Sequence, residues 1–67
     1  MHKKLGKRIA ELRKKHGFTQ EGFAHECGFH RAYMGAVERG EKNLTLAVMN
    51  KIATTLKISL AQLFKNV

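Results

Sequence analysis

The stretch Thr19–Gly40, TQEGFAHECGFHRAYMGAVERG, decides how the chain folds. Gln20, Ala24 and Gly28 recur at four-residue intervals, which places Gln20 and Ala24 on one face of a helix. Gly28 falls just past that helix, where a left-handed backbone is needed and a side chain is unfavourable. Thr19 is the expected N-cap, and Glu21 in the first turn complements the helix dipole. Phe23 and Cys27 supply the apolar side, while Ala24 is small where a second helix must cross closely. Past the turn, His30 or Phe29 opens that second helix, which should stop at Gly40. Phe29, Met34 and Val37 form its buried stripe. Arg31, Ala32, Gly35 and Ala36 are left facing outward, and Tyr33 either joins them or packs on the helix pair. One face is held by the core and the other is presented to something outside.

Working outward, Leu5, Ile9 and Leu12 repeat at helical spacing and predict a first helix over Lys3–His16, ended by Gly17 with Phe18 folding back. Its wet sides carry Lys3, Lys4, Lys7, Arg8, Lys14 and Lys15. Downstream, Thr45 caps a fourth helix with apolar positions Leu46, Met49, Ile52, Ala53 and Leu56. Ser59 with Gln62 forms a capping-box pattern opening a short fifth helix through Phe64. Five helices with no strand signal make an all-α chain. With 67 residues it is read as a single domain over 1–67, burying only roughly 60% of its unfolded surface.

The charge is lopsided. Thirteen Lys and Arg against 5 Asp and Glu leave a formal net charge of +8. Such an excess asks for a polyanionic partner, nucleic acid or an anionic membrane surface, and the groove-sized helix favours double-stranded DNA. No apolar run is long enough to span a bilayer, no signal peptide is visible, and Cys27 has no second cysteine to pair with, so a reducing cytoplasm is expected.

These residues resemble the helix-turn-helix of the phage repressor and Cro-type (XRE-like) family of DNA-binding proteins, whose docking on DNA is a standard case of groove reading by a helix. The similarity extends to RIAELRKKHGFTQ before the stretch and to ERGEKNLT and KISLAQLF after it. It implies a compact five-helix, lambda-repressor-like domain with the third helix, about residues 30–39, in the major groove. Base reading then falls to Arg31, Ala32, Tyr33 and Ala36. Arg31 either forks onto guanine O6 and N7 or binds a phosphate, and the alanines offer methyl contact to thymine. With such short side chains, part of the specificity would come from DNA shape. Phosphate contacts are expected from Thr19, Gln20, His30, Arg39, Lys42 and Asn43, although Asn43 equally suits a turn-shaping role. The resemblance also implies a partly buried ion pair between Arg13 and Glu38 that orients the reading helix.

Specific binding through one such unit generally requires two copies about one DNA turn apart. Leu60, Leu63, Phe64 and Val67 are therefore candidates for a two-fold contact; the other reading has them capping the monomer core. Together these features suggest a sequence-specific transcriptional regulator, similar to Cro-like repressors and restriction–modification controller proteins, with a contact to RNA polymerase as an optional addition and no small-molecule effector. An antitoxin-like or coactivator-like protein-interaction module is the alternative, and charge-driven packaging of nucleic acid a third. An enzyme is not expected: carboxylates are few and no nucleophile stands with a base. His25, Cys27 and His30 lack a second ligand pair at zinc-finger spacing, so neither metal nor cofactor is expected.

Several positions depart from the family pattern. Gly22 and Phe23 stand where acidic and leucine residues are typical, His30 is a poor cap, Leu44 replaces a common proline, and Lys57 ends a helix where glycine is usual.

Overall fold

Helix ends explain most of the chain's path. The computed structural model describes residues 2–67 and contains α1 (His2–Lys15), α2 (Gln20–Cys27), α3 (Arg31–Glu38), α4 (Leu46–Leu56) and α5 (Leu60–Leu63), with no strand among the described residues. Four helices stop by the same device. After α1 the Gly17 amide donates to the Lys14 carbonyl and the Phe18 amide to the Arg13 carbonyl; equivalent pairs close α2 at Gly28, α3 at Gly40 and α4 at Lys57. Each is a Schellman turn, in which a left-handed residue lets its own amide and the next one satisfy carbonyls the helix leaves free. Three of those residues are glycine; Lys57 adopts φ 59° with a side chain in place.

Starts are equally legible. Thr19 and Thr45 accept from the amides of Gly22 and Val48, and Ser59 with Gln62 completes the capping box. His30 occupies the N-cap of α3 with no side-chain bond, so the third helix opens at Arg31 without the capping stabilisation of about 1 kcal/mol that Ser or Asp supplies.

The core gathers Leu5, Ile9 and Leu12 of α1, Phe23, Ala24 and Cys27 of α2, Met34 and Val37 of α3, and Ile52, Ala53, Leu56 and Leu63 behind them. Phe18 tilts against the wholly buried Phe23 at 5.2 Å between ring centroids. Gly6 sets the distance between α1 and α3: a methyl there would lie 2.7 Å from the Glu38 carbonyl oxygen.

Two expectations about apolar residues are corrected. Leu46 does not join the core; it is 62% exposed, because the first residue of α4 projects beyond the end of the packed helices. Leu63 is wholly buried in the monomer, so it has no surface to offer a second copy, whereas Leu60, Phe64 and Val67 are partly exposed against the core. The chain turns at Ser59, which drives the short α5 down onto α1 and α4 and seals Leu63 beneath it.

Candidate nucleic-acid interface

Where α1, α2 and α3 meet lies a buried polar junction. Arg13 on α1 meets Glu38 at the end of α3 through two hydrogen bonds, Nε to Oε2 at 2.7 Å and Nη2 to Oε1 at 3.1 Å. Arg13 Nη1 also donates to the Phe18 carbonyl, and the Gln20 amide donates to Glu38 Oε1 at 3.1 Å. Side-chain exposures of 10% and 8% place this pair out of bulk water, where forked arginine–carboxylate geometry is strong and directional. Three helices, α1, α2 and α3, are thereby locked at one point.

Gln20 is used differently from the expectation. Its side chain turns inward, donating to Glu38 and lying over Gly35, while its backbone amide stands in the first turn of α2, where helix amides have no intrahelical partner. Thr19 is exposed; its oxygen accepts from Gly22 at 3.0 Å, and its hydroxyl hydrogen is free for an external acceptor.

Arg31 stands at the first turn of α3 with its side chain 67% exposed, and its guanidinium comes within 3.8 Å of Glu21 on α2. Ala32 beside it is exposed. Tyr33 is half-buried, its ring edge-on to Phe29 at 5.3 Å, and it lines a shallow apolar groove with Gly28, His30 and Val48. Of its two sequence readings, packing on the helix pair is the one adopted, with the groove side of the ring left open.

Gly35 and Ala36 are corrections. Both were expected to face outward and both are buried, Ala36 at 7% exposure. Gly35 is covered by the Gln20 amide and the Arg39 guanidinium. Ala36 lies one turn from both Tyr33 and Arg39, and a single methyl between two tall side chains is shaded by them. Ala36 therefore drops out of the surface that can touch a base.

On the flank, Arg39 forks onto Glu41 with bonds of 2.9 and 3.2 Å, an exposed pair. That hydrogen bond holds the Glu41 carboxyl below its usual range and raises Arg39 further above neutrality. Lys42 and Asn43 follow in an exposed loop, and His30 is exposed at the opposite end of α3. Thr19, His30, Arg31, Arg39, Lys42 and Asn43 thus lie at the two ends of α3 and beside the start of α2. The acidic neighbours Glu21 and Glu41 carry no local sequence mark as partners of these arginines: the glycine turn at Gly40 folds Glu41 back onto Arg39, and only the crossing of α2 and α3 brings Glu21 to Arg31.

Cys27 points inward as expected, and burial pushes its thiol up from the ordinary value. Among the described residues, no group of three His, Cys, Asp or Glu is placed to hold a metal ion, and no helix is long and apolar enough to cross a membrane.

The model of the helix-turn-helix family matches residues 9–63. Control protein C.MunI from Mycoplasma is 34% identical over 65 residues, covering 96% of this chain and 88% of that protein. The crystal structure of the restriction–modification controller protein C.AhdI from Aeromonas hydrophila superposes with a TM-score of 0.88 at 44% identity, covering 92% of this chain and 90% of that one. SinR, the master regulator of biofilm formation, solved in complex with DNA, superposes with a TM-score of 0.82 at 27% identity, covering 88% and 95%.

Proposed function

The chain belongs to the helix-turn-helix family, and on that premise we propose that it is a DNA-binding transcriptional regulator working as a homodimer on a palindromic operator, with α3 in the major groove. One observation carries this reading: Arg31 is exposed at the amino-terminal turn of α3, while the other end of the same helix is pinned by the Arg13–Glu38–Gln20 junction. A reading side chain on a rigid, buried support is what base discrimination requires. Arg31 reads guanine through its fork, Ala32 lies against a thymine methyl, and the open side of Tyr33 adds a sugar or base contact. Thr19, the Gln20 backbone amide, His30, Arg39, Lys42 and Asn43 hold phosphates on either side.

Residues 1–67 act as one DNA-binding domain in the cytoplasm, at the nucleoid. Two copies placed about 34 Å apart along the duplex read the half-sites. Leu60, Phe64 and Val67 form the two-fold contact. Operator occupancy then follows the protein's own concentration, since dimerisation and DNA binding are both mass-action steps. A contact with RNA polymerase is added when transcription is activated.

Selection of bound fragments from genomic DNA, repeated with Arg31→Ala, tests this. The wild type enriches an inverted repeat. Arg31→Ala relaxes the preference at one base of each half-site by roughly 1–3 kcal/mol. Uniform weakening across all sequences would move Arg31 to a phosphate, and enrichment of no sequence at all would leave binding driven by charge alone.

A further inference from the structure

A second basic surface lies on the opposite side of α1 from the reading helix. Along α1, Gly6 and Arg13 face α3, while Arg8 reaches α5, its Nη2 donating to the Gln62 carbonyl at 2.9 Å. Gly6 and Arg8 are two residues apart, about 200° around the helix, so the two faces point in nearly opposite directions. Between α1 and the end of the chain lie two adjoining hollows that share Arg8 and Lys65, one also lined by Lys4, Lys7 and Glu11 and the other by Lys15; together they form the α1–α5 cleft. It holds five of the 13 Lys and Arg residues and a single carboxylate. Arg8 lies along it, its Nη2 held by the Gln62 carbonyl and its Nε covered and without a partner.

A duplex engaged by α3 lies on the other side of α1, so these charges do not neutralise the operator. We infer that the α1–α5 cleft binds an acidic segment of a second protein, carboxylates on the lysines and on Arg8, while the regulator sits on DNA. Three features favour a peptide over a second nucleic acid. Glu11 interrupts the cations, and a phosphodiester chain, charged at every residue, would be repelled there. Leu12 and Ile58 give part of the cleft an apolar floor able to seat a hydrophobic side chain between acidic ones. From Lys4 to Lys15 the cleft runs roughly 16 Å along the helix, the reach of about five extended residues. Another copy of this chain is a poor occupant. Of its 5 acidic residues, Glu21, Glu38 and Glu41 already lie beside arginines of their own, and two chains of +8 repel.

The test uses the whole protein and a short fluorescein-labelled peptide of alternating glutamate and leucine. Lys4→Gln with Lys65→Gln, both exposed in the wild type, is compared with Lys14→Gln plus Lys51→Gln, which removes the same charge elsewhere. The first pair weakens peptide binding roughly tenfold and the control less than about twofold; Glu11→Gln tightens it. In nitrogen-15 NMR the Arg8 Nε–H signal shifts on peptide addition. Selected DNA binds both double variants alike, so failure here is distinguishable from failure of the DNA-reading role. Equal loss in both pairs, an unmoved Arg8 signal with shifts on α3, or Lys4- and Lys65-dependent capture of a second duplex would each overturn the proposal.

Discussion

Arg13 and Glu38 illustrate how much a single pair can decide. The carboxylate is 8% exposed and accepts from both Arg13 and Gln20, so removing the arginine leaves a buried charge with one neutral donor. Breaking such a pair is severe because the orphaned ion keeps its desolvation penalty without its Coulombic return. Arg13→Met is expected to lower unfolding free energy by about 3 kcal/mol in urea titrations. Arg13→Met with Glu38→Met should recover most of that loss yet leave operator affinity impaired, because the junction orients α3 as well as holding it. Recovery of both together would assign the pair a purely structural role. The pair itself was readable from family resemblance; that Gln20 joins it was not, since a helix-start glutamine gives no sign of which way its amide turns.

At the scale of the element, helix ends were the most legible part of the chain. Thr19, Thr45, the Ser59–Gln62 box and the glycines at 17, 28 and 40 act through contacts only a few residues long, so local sequence suffices. Lys57 shows the same logic in reverse. It holds φ 59° exposed and without glycine's freedom. Lys57→Gly should stabilise the protein by about 1 kcal/mol, seen as a higher urea midpoint at unchanged slope. Nothing local marks Gly6; its role appears only when the α3 backbone lies against it. Gly6→Ala is expected to lose 1–3 kcal/mol or more through overpacking, and a melting temperature within a degree or so of wild type would show that α1 and α3 can separate freely.

For the whole molecule, the proposed two-fold contact makes its own predictions. Leu63 is wholly buried and belongs to the monomer: Leu63→Ala should cost roughly 2–5 kcal/mol of stability. Leu60, Phe64 and Val67 are only partly covered. Leu60→Lys is expected to weaken self-association in sedimentation equilibrium while largely preserving helicity by circular dichroism. Unchanged association would move the two-fold contact elsewhere, with exposed Leu46 as the next apolar position to examine.

What the chain's order of residues determined on its own is the all-α class, the helix boundaries to within a residue or two, and the helix pair with Arg31 on its outer face. Those features follow from caps, periodicity and charge, which act over one or two turns. Burial at the crossing points was decided only by tertiary structure: Gly35 and Ala36 turning inward, Leu46 outward, Leu63 sealed, Gln20 drawn to Glu38, and a cationic cleft assembled from α1 and the chain end. Periodicity says which residues share a face of a helix. How far along that face its neighbours extend depends on crossing angles and helix lengths, which no local pattern encodes.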